Sequence, residues 1–259
     1  VSLLELDSVD KIFGGLHAVR GVSLKIEAGS IFGLIGPNGA GKTTLFNVIT
    51  GVYTPEHGSI RFEGKPITGL RPAEIAARGV ARTFQNIRIF KTMTVEENVM
   101  VAGHHLHTAS LFDALVRSRR YERDERALRE RARELLKILA LEDLAQEAAG
   151  SLPYGSQRRL EIARALMLSP KLLLLDEPAA GMNSQEARAL NEQIRFLRKE
   201  LGLTVVLVEH NMAVVMNVCE TIHVVDHGET IAEGAPAAIR ADAGVLAAYL
   251  GEAPEEALS

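Results

Sequence analysis

At 259 residues, 47% of them apolar and 24% charged, the chain has the size and composition of a globular protein with a substantial buried core. A formal net charge of −4 supplies no overall field that would hold a nucleic-acid backbone, so nucleic acid is not an expected partner. The single cysteine, Cys219, excludes an internal disulfide and a CxxC site; its apolar neighbours mark it as a packing residue in a reducing compartment.

In chain order, Val1 to Asp7 are acidic and alternating, unlike a secretory leader, and no apolar run approaches the roughly 18 to 20 residues of a membrane span. The expectation is a chain that neither crosses a membrane nor is secreted. Ile31-Phe32-Gly33-Leu34-Ile35 is a continuous apolar run leading into Gly36-Pro37-Asn38-Gly39-Ala40-Gly41-Lys42-Thr43, and Thr44-Leu45-Phe46-Asn47-Val48-Ile49 continues as a helix. From Thr94 the character changes. Thr94 and Glu97 have capping-box spacing, and Leu128, Ala132, Leu135, Leu136 and Leu139 form one helical stripe. The opposite face carries mixed charges, with Glu122 and Arg126, and Glu125 and Arg129, at i, i+4 spacing, which reads as a solvated surface.

Leu152-Pro153-Tyr154-Gly155-Ser156-Gln157 opens a helix, and Leu172-Leu173-Leu174-Leu175 and Thr204-Val205-Val206-Leu207-Val208 read as strands buried on both faces because they are continuous rather than alternating. Between them Asn183 and Glu186 start a helix that stops at Gly202. Ile222 to Val225 and Glu229 to Ala232, separated by Asp226-His227-Gly228, predict a hairpin. The predicted division is an α/β core of residues 1–93 and 169–235, a helical insertion at 94–168 and a C-terminal helical tail at 236–259.

Four segments carry chemistry. The Gly36 to Thr43 run, between a strand and a helix, has the pattern of a phosphate loop: glycines let consecutive N–H groups turn inward, and the helix that follows points its positive end at the same charge. Lys42 would neutralise β and γ oxygens, and the Thr43 hydroxyl would hold Mg²⁺. Asp176-Glu177 ends the four-leucine strand, at the carboxyl edge where ligands of open α/β sheets sit. Asp176 is placed for Mg²⁺ and Glu177 as the base that orients the attacking water. His210 follows the Thr204 to Val208 strand by two residues; a lone histidine is more often structural, yet this one suits a γ-phosphate contact. Gln85, in Thr83-Phe84-Gln85-Asn86, carries an amide suited to Mg²⁺ or the attacking water. His104, His105 and His107 lie in one short segment with no nearby cysteine and read as a polar loop rather than a zinc site.

Taken together, the phosphate loop, Gln85, the Leu152 to Gln157 segment with its helix, Asp176-Glu177 and His210 resemble, in order and spacing, the ATP-binding-cassette (ABC) ATPases. The resemblance covers nearly the whole chain. It implies a P-loop NTPase (RecA-like) α/β fold with an N-terminal antiparallel β subdomain and an inserted helical subdomain, with ATP and Mg²⁺ as ligands. ATP would be held by Asn38, Gly39, Ala40, Gly41, Lys42, Thr43 and Thr44, with Thr43, Gln85 and Asp176 on the metal and Lys42, Gln85, Glu177 and His210 in catalysis. Phe13 would lie against adenine, where sequence pattern alone reads a sheet-packing aromatic, and Val19 would flank the base. Such ATPases pair, each ATP lying between one phosphate loop and the partner's signature segment, so Gly155, Ser156 and Gln157 would serve a second cassette. The family's usual Leu-Ser-Gly-Gly reads Leu152-Pro153-Tyr154-Gly155 here, and proline supplies neither hydroxyl nor N–H.

Finer stretches, namely Phe13-Gly14-Gly15-Leu16-His17-Ala18-Val19, the Pro153-Tyr154 variant, Ala179-Ala180-Gly181-Met182-Asn183 and Ala248-Tyr249-Leu250-Gly251-Glu252, resemble the larger ATPase subunit of branched-chain (hydrophobic) amino-acid importers. That resemblance implies separate transmembrane permease subunits, a solute-binding protein acting indirectly, and a peripheral place on the cytoplasmic face of the plasma membrane. The rivals are the ATPase of lipopolysaccharide export, a non-transport cassette, a small-molecule kinase and a non-hydrolytic nucleotide binder. The Pro153-Tyr154 signature, the length, the lone phosphate loop and the intact Glu177 weigh against them.

Overall fold

The computed structural model describes residues 2–104 and 111–250. In chain order these form β1 (Ser2–Phe13), β2 (Leu16–Glu27), β3 (Ile31–Ile35), α1 (Lys42–Ile49), β4 (His57–Phe62), β5 (Lys65–Pro66), α2 (Pro72–Ala76) and β6 (Val80–Arg82). There follow α3 (Val95–Ala102), α4 (Leu111–Leu115), α5 (Arg119–Ile138) and α6 (Tyr154–Leu166). The chain then runs through β7 (Leu172–Asp176), α7 (Ser184–Leu201), β8 (Thr204–Val208), α8 (Met212–Val218), β9 (Thr221–Asp226), β10 (Glu229–Gly234), α9 (Pro236–Ala241) and α10 (Ala243–Leu250). Two compact units result: Val1–Arg82 with Lys171–Ser259, and Thr83–Pro170.

The first unit contains both sheets. An antiparallel sheet has the order β2-β1-β4-β5, and a six-stranded sheet has the order β10-β9-β3-β8-β7-β6. In the latter β9, β3, β8, β7 and β6 run parallel, and β10 closes one edge antiparallel to β9. This is the expected α/β architecture with an antiparallel β subdomain. Every residue of β3, β7 and β8 is buried, which is why these strands read as unbroken apolar runs. Leu45, Phe46, Val48 and Ile49 of α1 join one core with Leu4, Leu6, Ile26 and Ile60 of the antiparallel sheet and Leu34, Leu174 and Val206 of the parallel one. Burial of each large apolar side chain there contributes about 1.5 to 3 kcal/mol.

Register places the strand ends. Leu34 and Asp176 both lie beside Val208, so the segments after β3, β7 and β8 leave the sheet at one edge. The α7 helix begins with a capping box between Asn183 and Glu186 and ends at Gly202, whose φ of 62° is left-handed. The predicted hairpin is β9 and β10, turning at His227 and Gly228, both at positive φ.

In the second unit, Thr94 accepts from the Glu97 N–H while the Glu97 carboxylate accepts from the Thr94 N–H, closing the expected capping box of α3. The predicted stripe of α5 is buried at Leu128, Ala132, Leu135 and Leu136. Arg133 and Arg129 of α5 reach the buried Glu96 of α3 at 2.7 and 3.7 Å, an ion-pair cluster that helical spacing alone did not indicate. Among the described residues no helix is long and apolar enough to cross a membrane. Residues 236–250 form α9 and α10; His105, His107 and the Glu252 to Ser259 end lie outside the described residues.

Candidate functional site

The turn after β3 is built on three left-handed glycines, Gly36, Gly39 and Gly41, with φ of 153°, 79° and 101°. Two of them also have no room for a side chain. A Cβ on Gly36 would stand 2.0 Å from the Val225 carbonyl oxygen, and one on Gly41 would stand 2.2 Å from that of Ala18. The loop is therefore pressed against β2 and β9, and Gly228 of the hairpin turn donates its N–H to the Ala40 carbonyl at 3.0 Å. Lys42 is buried and turned into the loop, donating from Nζ to the carbonyls of Gly36 at 2.5 Å and Pro37 at 2.7 Å. No side chain caps α1 at Gly41, and the start of a helix favours an anion. Asn38, Gly39 and Thr43 are exposed, Thr44 is half-buried and Ala40 is buried. A backbone cradle with a buried cation and an uncapped helix start fits a chain of phosphates.

At the same sheet edge β7 delivers Asp176 and Glu177. Asp176 is buried, and its Oδ2 accepts from Arg82 Nη2 at 2.7 Å. Arg82 also donates to Asn47 Oδ1 of α1 at 2.6 Å, so one guanidinium ties β7 to the helix behind the phosphate loop. Glu177 sits at φ 46° and donates its N–H to the Val208 carbonyl at 2.9 Å. Its Oε1 lies 3.6 Å from His210 Nδ1, so the sequence-predicted base and histidine are brought together. Thr43 and Asp176 offer the hard oxygen donors that Mg²⁺ takes, and both fit such a cation.

Phe13, at the end of β1, is partly exposed and meets Tyr53 edge-on at 5.0 Å, with Lys11 Nζ 5.1 Å from its ring. Val19, expected to flank the base, is instead 1% exposed and packed in the core, which leaves its side chain no surface for that contact. Gln85 belongs to the second unit, where it is exposed and its carbonyl accepts from Arg158 Nη2 at 2.8 Å.

In that unit Pro153 is the N-cap of α6 and makes no side-chain cap bond, consistent with proline at a helix start. Gly155 is half-buried, Ser156 is buried with its Oγ accepting from Arg159 Nη2 at 3.0 Å, and Gln157 donates to the Leu152 carbonyl at 2.8 Å. Sequence reasoning missed Arg158. Fully buried, it pairs with Glu161 at 2.8 Å and holds the carbonyls of both Phe84 and Gln85. Its position one turn into a helix resembled any surface arginine, and only the contact 73 residues back along the chain reveals it.

Residues 19–180 match the ABC transporter family, and residues 229–255 match the branched-chain amino acid ATP-binding cassette transporter family. The chain is 48% identical over 252 residues to the high-affinity branched-chain amino acid transport ATP-binding protein BraF of Pseudomonas aeruginosa, covering 97% of this chain and 98% of that one. It is 44% identical over 251 residues to the LivG protein of the same description from Escherichia coli, with the same coverage. Among solved structures, the ADP conformation of an ATP-binding cassette of an ABC transporter is 35% identical, with a TM-score of 0.85 over 97% of this chain and 100% of that one. A dimeric bacterial ABC transporter cassette is 27% identical, with a TM-score of 0.76 over 90% and 99%.

Proposed function

The chain belongs to the ABC transporter family of ATP-binding proteins, and we propose that it is the ATP-hydrolysing subunit of an importer of branched-chain amino acids. The observation that carries this reading is similarity along the full chain to BraF and LivG, joined to the separate match of residues 229–255. The ATPase half of the reading draws on the edge where the phosphate loop, Asp176, Glu177 and His210 converge.

ATP binds by its phosphates in the Asn38 to Thr44 cradle, where backbone N–H groups and Lys42 meet the negative charge, and by its base against the partly exposed Phe13 ring. Thr43 and Asp176 would hold Mg²⁺, and the resemblance names the Gln85 amide as a further donor. When bound, that ion would supply positive charge against the phosphate oxygens. Glu177 orients and deprotonates the attacking water, and His210, 3.6 Å away, contacts the γ-phosphate. Gly155, Ser156 and Gln157, at the start of α6, present a helix N-terminus to the ATP held by a second cassette, so two chains are needed for one working site. ATP then favours the closed pair and hydrolysis the open one, and transmembrane permease subunits feel that difference. Such a subunit works at the cytoplasmic face of the membrane and never touches the amino acid itself, which an external binding protein delivers.

The test is reconstitution. The chain, purified with its transmembrane partners into vesicles, is expected to hydrolyse ATP faster when leucine and its binding protein are present, and to accumulate leucine. Turnover indifferent to leucine, isoleucine and valine, but stimulated by another solute, would overturn the substrate while leaving the ATPase standing.

A further inference from the structure

Beside the groups already placed lies a carboxylate that the mechanism does not use. Glu209, between Val208 and His210, is 1% exposed. Its Oε1 accepts from the Ala179 N–H at 2.7 Å and its Oε2 from the Asn211 N–H at 3.4 Å. The first of these bonds crosses from β8 to the segment that follows β7. We propose that Glu209 is a positioning residue that clamps the strand end carrying Glu177 to the strand end carrying His210.

The backbone explains why a clamp is needed there. Glu177 is held at φ 46°, a left-handed conformation that a residue with a Cβ keeps only when its surroundings enforce it. Three bonds do so. Glu177 N–H is fixed by the Val208 carbonyl, its carbonyl accepts from Ala180 N–H at 3.2 Å, and Ala179 between them is fixed by Glu209. Successive residues of the β8 exit, Val208 through its carbonyl and Glu209 through its side chain, thus grip alternate residues of the β7 exit. A buried carboxylate is costly, and burial pushes the Glu209 carboxyl above its usual range, with Glu177 adding to that; the Ala179 and Asn211 N–H groups and His210 act the other way. Its two N–H partners, Ala179 and Asn211, lie in the two segments whose reacting groups stand 3.6 Å apart.

This inference rests on the roles given above to Glu177 and His210, and the experiment separates the two. In the full chain, ATPase turnover per bound nucleotide is compared for wild type, Glu209→Ala, Glu209→Gln and Glu177→Gln. Counting bound nucleotide removes any misfolded fraction. Glu209→Ala is expected to lower kcat by roughly tenfold or more while leaving KM for ATP within about twofold, because the phosphate loop is held from β2 and β9 instead. Glu209→Gln keeps an acceptor oxygen for the Ala179 N–H and is expected to recover kcat to within about threefold of wild type. Unchanged kcat in Glu209→Ala, an effect confined to KM, or a glutamine variant as slow as the alanine variant would each overturn the clamp. If Glu177→Gln itself turns over normally, the reading of the site falls as well; if it is inactive while Glu209→Ala is normal, only the clamp falls.

Discussion

Arg82 donates from Nη2 to Asp176 Oδ2 at 2.7 Å across 94 residues of sequence, with both side chains nearly excluded from water. A second nitrogen of the same guanidinium holds Asn47 of α1, and the Phe46 ring lies 5.4 Å from its central carbon. Arg82 is thus the fixed point that keeps the Asp176 carboxylate and the phosphate-loop helix in register. Removing one partner of a buried pair leaves an uncompensated charge, at a cost of about 3 kcal/mol. Arg82→Ala should lower the unfolding midpoint by roughly 6 to 12 °C and weaken Mg²⁺-dependent nucleotide binding. A thermal melt within 2 °C of wild type, on the scale set by that conversion, would contradict this account.

The phosphate loop discriminates between its own glycines. Gly41 and Gly39 are both left-handed, at φ 101° and 79°, but a Cβ at Gly41 strikes the Ala18 carbonyl at 2.2 Å whereas one at Gly39 meets nothing within 4 Å. Gly39→Ala therefore carries only the backbone penalty, about 1 kcal/mol. Gly41→Ala must also displace the loop from β2 and is expected to weaken ATP binding at least tenfold more than Gly39→Ala does, by roughly a further 1.4 kcal/mol. Nucleotide titration of both variants measures the difference directly, and equal affinities would refute it.

These features were unequally legible in the sequence. Gly36 to Thr43, the buried strands and the capping boxes at Thr94 and Asn183 were readable because each is a local pattern: period, spacing or turn chemistry within ten residues. Arg82, Arg158 and Glu209 were not, since each acts on a segment brought near only by the sheet or by the helical unit; Arg158, for example, holds a carbonyl 73 residues away. Phe13 shows the intermediate case. Its type and place drew attention, but its edge-on contact with Tyr53 and its proximity to Lys11 depend on where β1 ends relative to the turn after α1. Ser156 was read as a contact for a second chain, and the fold adds that its hydroxyl is buried against Arg159.

Cys219 offers a probe of the core beneath this site. Its thiol is buried, close enough to Gly33 that a Cβ there would stand 3.0 Å from Sγ, and burial, aided by Glu209 and Glu220, pushes its pKa up to about 12 from an ordinary 9.0. A raised pKa means that the unfolded chain loses this proton first as pH rises. The stability it carries is whole below pH 9 and is lost progressively toward pH 12. At pH 8 the folded thiol should react with iodoacetamide about a thousandfold more slowly than the urea-unfolded chain, because three pH units separate their thiolate fractions. Comparable rates in the two states would show that the thiol is accessible and the burial wrong.

The signature segment makes the sharpest demand on a second chain. Pro153 caps α6 without a side-chain bond, so whatever this helix start offers an anion comes from backbone N–H groups near Gly155 and from the helix dipole, while the Ser156 hydroxyl already accepts from Arg159. Ser156→Ala alone removes that bond and should cost about 1 kcal/mol of stability with less than about a threefold change in turnover. Gly155→Glu places a carboxylate at the positive end of α6, where the partner's γ-phosphate is expected, and repels it. The double variant Gly155→Glu with Ser156→Ala should bind ATP as wild type does, since its own phosphate loop is untouched. Its ATP concentration dependence should lose cooperativity, with a Hill coefficient near ~1 and turnover down roughly tenfold or more. Cooperative, full-rate hydrolysis by that variant would show that the Pro153-Tyr154 signature does not serve a partner's nucleotide through Gly155 and Ser156.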